Sequence, residues 1–128
     1  MNRQNLHLIL SVLIVIPAAF FYGLFPHETL PLLFDFEVQT TDLKNVFRAI
    51  LGLYLAFSAI WILGIFQASF WKIATVSNFL FMFGLVFGRI LSMILDGMPS
   101  PAFAIGVIGE LILGLFSFYQ YQKYKHTI

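Results

Sequence analysis

Two arginines and one glutamate lie within apolar stretches of this 128-residue chain: Arg48, Arg89 and Glu110. An ionised side chain in hydrocarbon costs roughly 2.5–3.5 kcal/mol on insertion scales, so such residues are rare, paired and often functional. Two guanidinium groups and a carboxylate can form a fork for a phosphate, a carboxylate or a carbonyl-bearing ring. The same residues can instead lock helices together as a buried Arg–Glu pair and do nothing else. Arg48, close to a helix end, also has the option of extending to a headgroup layer. The formal balance of Arg48 and Arg89 against Glu110 leaves one positive charge over. Either Asp96 at the rim or an electron-rich ligand head would offset it.

The elements that position these residues follow from hydropathy. Hydrophobic residues make up 60% of the chain, charged residues only 10%, and mean hydropathy is +0.91. A typical soluble domain is about 25% charged. Four apolar stretches, at about 6–25, 46–66, 73–95 and 102–119, approach the ~20 residues that cross hydrocarbon. Backbone groups in lipid must be satisfied within their own segment, so these are helices. The expected fold is an all-α, four-helix antiparallel transmembrane bundle forming a single domain. Pro17 is expected to kink the first span. The stretch following Arg3 reads as an uncleaved signal anchor.

The connections suggest an orientation. Arg3, Lys72, Lys123 and Lys125 fall on one side. The other carries Asp96 and the 26–45 loop with Glu28, Asp35, Glu37 and Asp42. The positive-inside rule then places both termini in the cytoplasm and the acidic loop outside. Trp71, Tyr119, Tyr121 and Tyr124 are expected at the inner interface. Within the loop, LPLLFDFEVQ suits a short strand or a segment lying on the bilayer surface. Thr41 or Asp42 is the expected N-cap of the second span.

Depth and phase bring the charges together. With a rise of ~1.5 Å per residue, Arg48 lies roughly one turn below the outer surface, Arg89 about 10 Å and Glu110 about 12 Å. Asn78, Met82, Arg89 and Asp96 share one face of the third span, with Ser92 on its flank. Gly106, Glu110, Gly114, Ser117 and Tyr121 share a face of the fourth. Gly52, Ala56 and Ala59 lie on the Arg48 side of the second. Small residues mark helix contacts in membranes, so Arg48 and Glu110 are expected to face the bundle interior. The expected pocket comprises Arg48, Arg89 and Glu110, with Asp96 and Ser92 at its rim and Tyr54 as its floor. Gly84 and Gly88 form a GxxxG on another flank, suited to a neighbouring helix or a second subunit.

Other chemistry finds little support. There is no Cys, which excludes thiol catalysis and thiolate metal sites. The net charge of +1 argues against a nucleic-acid partner. His7, His27 and His126 lack metal-site spacing, and no nucleophile elbow or phosphate loop is present. Asn78 is expected to hydrogen-bond between helices, and Tyr54 and Trp61 to serve packing more than a ligand cage.

The runs NVFRAILGLYLAFSAIWILG, GLVFGRILSMILDGMPSP and GELILG resemble the bacterial domain-of-unknown-function family 4345, over roughly the C-terminal two thirds of the chain. The resemblance carries Arg48, Gly52, Tyr54, Gly88, Arg89, Ser92, Asp96, Gly97 and Glu110. It implies a small four-helix protein of the bacterial inner membrane, broadly similar to the DoxX-like group, in which some members are linked to quinone-coupled electron transfer. It implies no activity. The leading expectation is a binding module for an amphiphile, a membrane lipid or an isoprenoid quinone. A structural or assembly partner of another membrane protein, or a small transporter or channel subunit working as a homo-oligomer, are the alternatives. An enzyme is the least expected class, and no cofactor beyond quinone is suggested.

Overall fold

The computed structural model describes residues 2–128. Its long helices are α1 (Leu6–Gly23), α3 (Thr41–Phe66), α4 (Trp71–Asp96) and α5 (Pro101–Tyr124); α2 (Pro26–Thr29) is a single turn. Short 3-10 turns cover Arg3–Asn5, Leu30–Leu32 and Ala68–Phe70. The four long helices, with their adjoining turns, are long and apolar enough to cross a membrane. No strand is present among the described residues, so LPLLFDFEVQ does not form the short strand that was one of its two expected forms.

Helix ends follow local chemistry more than hydropathy. The second span begins five residues before its apolar run because Thr40 caps it: the Leu43 N–H donates to Thr40 Oγ1 at 3.2 Å. Thr41 and Asp42, the expected caps, lie inside the first turn. α1 continues through Pro17 as one helix. α4 ends at Gly97, whose φ of +97° is a conformation that side chains with a Cβ rarely adopt. Pro101 then opens α5 at its first position, where a missing N–H costs nothing.

α1 packs along α3 and α4 along α5; α3 and α4 join the two pairs, while α1 touches α5 only sparsely. The half of the bundle nearest the termini is dense and polar at its centre. His7 Nε2 and Thr75 Oγ1 are 2.9 Å apart, Ser11 donates to Asn78 Oδ1 at 3.3 Å, and Ser117 donates to the Thr75 carbonyl at 3.2 Å. Trp61 donates to Ser77 Oγ at 3.2 Å. Each of the other long helices thus hydrogen-bonds to α4. Buried interhelical hydrogen bonds of this type are worth up to about 1–2 kcal/mol in membranes. Asn78 therefore bridges helices as expected, and Trp61 is fully buried packing.

The N-terminal turn is fastened to three helices. Asn5 donates to the Ile65 carbonyl at 3.0 Å, Trp71 to the Gln4 carbonyl at 3.1 Å, and Gln120 to the Arg3 carbonyl at 2.7 Å. Trp71 is thus fully buried beneath this turn. The reason is its indole N–H, which finds a protein carbonyl inside the bundle.

The opposite, distal end is closed by the 26–40 segment. Leu30, Phe34 and Val38, four residues apart, are buried against Phe21, Tyr22, Phe36, Phe47, Ala102 and Phe103. Glu28, Asp35 and Glu37 remain exposed. Thr29 Oγ1 donates to the Phe21 carbonyl at 2.6 Å and turns the chain back over α1.

Candidate functional site

Below this aromatic cap, the interior widens. On α4, Leu85, Gly88, Arg89 and Ser92 form a stripe spaced three and four residues apart. Phe103, Gly106, Glu110 and Leu113 do the same on α5, and Val15, Ala18 and Tyr22 on α1. Gly106 and Gly109 contribute no side chain, and a Cβ at either would meet nothing within 4 Å. A cavity of about 330 Å³ results, lined by these α1 and α5 residues together with Tyr54, Met82 and Arg89. That is within the range of small-molecule sites, roughly 300–1,000 Å³.

Arg89 and Glu110 meet in its wall. The guanidinium Nε–H is shared between Glu110 Oε2 at 2.9 Å and Oε1 at 3.1 Å. The two side chains are only 19% and 15% exposed, so each removes the other's need for water. Arg89 Cζ lies 5.0 Å from the centre of the Phe103 ring, a cation–π distance. Phe103 in turn stacks on Phe34 at 3.9 Å, so the cap bears on the ion pair through two rings. Glu110 engages only Nε, so the two terminal nitrogens of Arg89, with four N–H donors, are left to other partners, of which the Tyr22 phenol is one close at hand.

The structure divides the sequence-derived residues into three sets. Arg89, Glu110 and Tyr54 share the cavity, with Tyr54 92% removed from solvent. Ser92 and Asp96 are exposed and hydrogen-bonded to each other at 3.0 Å; Ser92 lines a separate opening with Gly88, Arg89, Pro99 and Phe103. Arg48 stands apart: it is exposed and lines none of these cavities. Small residues gave the wrong face of this helix. Gly52, Ala56 and Ala59 point outward, whereas Phe47, Ile50, Tyr54, Ser58 and Trp61 turn inward, where Phe47 and Tyr54 meet Tyr22 of α1 and Tyr54 and Trp61 meet Phe81 of α4. The surplus positive charge therefore lies on the surface, and the pocket holds one cation against one anion.

Several contributors were not singled out from the sequence. Tyr22 lines the cavity beside Arg89, and Phe103 and Phe34 cap it. Their signal was available: Tyr22 falls seven residues after Val15 on the same helical stripe. Only the fold of the loop, however, brings Phe34 over it. His27 lies 3.5 Å from Glu28 on the exposed surface, and no group of three metal-ligating side chains occurs among the described residues.

Fold and site together define a multi-pass membrane protein, a four-helix bundle with a charge-paired cavity in its distal half. The chain belongs to the family described as Domain of unknown function (DUF4345), whose model matches residues 4–120. The match takes in α1 and the capping loop, well beyond the C-terminal two thirds that carried the resemblance. No curated protein matches the chain, and no solved structure does.

Proposed function

We propose that the protein binds a membrane amphiphile, with the polar part of the ligand at Arg89 and its apolar part along the cavity between α1 and α5. The observation that carries this reading is the Arg89 guanidinium in the wall of an otherwise largely apolar cavity. Its Nε is fixed by Glu110, which leaves the terminal nitrogens for the Tyr22 phenol or a ligand oxygen. A ligand oxygen at those nitrogens would add charge-assisted hydrogen bonds to the one that Nε already makes with Glu110. Phosphate, ester and quinone oxygens all satisfy a guanidinium edge.

Access is sideways. The aromatic cap covers the distal end, while Ile14 and Ile105, 53% and 68% exposed, form the cavity rim between the sparsely packed α1 and α5. A ligand already dissolved in the bilayer would enter there without crossing water. The binding module thus suits a substance delivered by the membrane.

Purification in mild detergent followed by native mass spectrometry tests the reading. The wild-type protein should carry an amphiphile adduct, and Arg89→Ala should lose most of it while keeping its helical circular-dichroism spectrum. A wild-type spectrum of bare protein, or equal retention by Arg89→Ala, rejects the proposal.

A further inference from the structure

Arg89 sits where three openings meet. The cavity between α1 and α5 shares Tyr22, Tyr54, Leu85, Arg89 and Phe103 with a second cavity, of about 340 Å³. This second arm runs out between α3 and α4, past Phe47, Ile50, Gly84 and Gly88. Gly84 and Gly88 are exposed, and a Cβ at either would meet nothing within 4 Å, so the GxxxG of α4 forms an open trough in the bundle wall. The third opening, about 290 Å³, leads past Gly88, Arg89 and Phe103 to Ser92 and Pro99, beside the exposed Ser92–Asp96 pair.

Two arms of near-equal size and apolar lining therefore diverge from one guanidinium, and a more polar arm leaves it toward the distal surface. A single-tailed molecule occupies one arm and leaves the other unused. A glycerolipid has the matching shape: two acyl chains and one head, joined where the ester and phosphate oxygens lie. We propose that the occupant is a two-chain glycerophospholipid straddling the bundle, one chain in each lateral arm, its ester or phosphate oxygens at the terminal nitrogens of Arg89. This deepens the amphiphile reading and rests on it. The charge balance agrees, since Glu110 already neutralises Arg89 and the junction recognises oxygen acceptors without requiring a surplus negative charge.

The openness of the glycines supplies the test. Gly109→Leu projects into the first arm and Gly84→Leu into the second, with room for the new Cβ in both cases. Delipidated protein is titrated with dioleoylphosphatidylethanolamine, its lyso form, and a single-tailed quinone, and adducts are counted by native mass spectrometry. The wild type should retain the diacyl lipid at least tenfold better than either single-chain ligand. Each plug alone should abolish that preference while leaving lyso-lipid retention within about twofold. A second measurement needs no variant: diacyl lipid with a diazirine on one chain or the other should crosslink to α1 or α5 and also to α3 or α4.

Equal retention of single-chain ligands, an unchanged diacyl preference in Gly84→Leu, or crosslinks confined to one arm would overturn the two-chain assignment and leave amphiphile binding standing. Loss of a dimer in Gly84→Leu with lipid retention intact would assign the trough to a second copy of the chain and also overturn it. Absence of any adduct on the wild type removes both proposals together.

Discussion

Severing the Arg89–Glu110 pair should cost more when the carboxylate is removed than when both charges are removed. At 2.9 Å, and with an effective dielectric constant near 20, the gross attraction is about 6 kcal/mol. Desolvation of two groups that are less than one-fifth exposed offsets much of it. Removing one partner of such a pair typically costs about 3–5 kcal/mol, because the other is left buried and uncompensated. The two single variants are not equivalent. Arg89→Met leaves a carboxyl, which can shed its charge by taking up a proton; Glu110→Gln leaves a guanidinium, which keeps its charge. Glu110→Gln is therefore expected to be the more destabilising single change. The double variant Arg89→Met/Glu110→Gln should recover about 2 kcal/mol of that loss, a coupling typical of neighbouring groups. Reversible unfolding in mixed micelles by sodium dodecyl sulfate, followed by far-ultraviolet circular dichroism, reads all three against the wild type. Additive single effects within about 0.5 kcal/mol would refute the ion pair as a structural coupling.

Two further outcomes follow from the geometry. Arg48→Ala should change stability by no more than about 0.5 kcal/mol, as for an ordinary surface site, and should leave amphiphile retention intact; a loss like that of Arg89→Ala would return Arg48 to the pocket. At Gly64, a new Cβ would collide with the Cβ of Ala74, so Gly64→Ala should lower the melting temperature through overpacking worth about 1–3 kcal/mol. Adding Ala74→Gly should restore it, and a swap no more stable than the single variant would disprove that contact.

Much of the architecture was legible because lipid allows few solutions. Spans long enough to cross hydrocarbon had to be helices, and short connections at QASFWK and DGMPSP forced neighbours to run antiparallel. The convergence of Arg89 and Glu110 came from depth, which chain length and direction fix. Arg48 shows where that reasoning stopped. Depth says nothing of azimuth, and its face was chosen from Gly52, Ala56 and Ala59 on the rule that small residues meet. The bundle instead turns the aromatic Tyr54 and Trp61 inward, against Tyr22 of α1 and Phe81 of α4. Phe34 was beyond reach for a different reason. Its place over Phe103 depends on the path of an irregular segment, which no helical periodicity encodes. The His7–Thr75 contact was missed because a lone histidine near the start of a span has no spacing to announce a partner 68 residues away.

The clasp on Arg3 bears on how the molecule is made. Gln120 reaches back across 117 positions to hold that carbonyl, and Ile65 and Trp71 complete the grip on the residues beside it. During synthesis the grip of Ile65 and Trp71 becomes possible before that of Gln120, so the clasp is complete only once α5 has emerged. A fusion placed ahead of this turn would burden the latch itself, whereas one placed beyond the end of α5 would leave it free to shut.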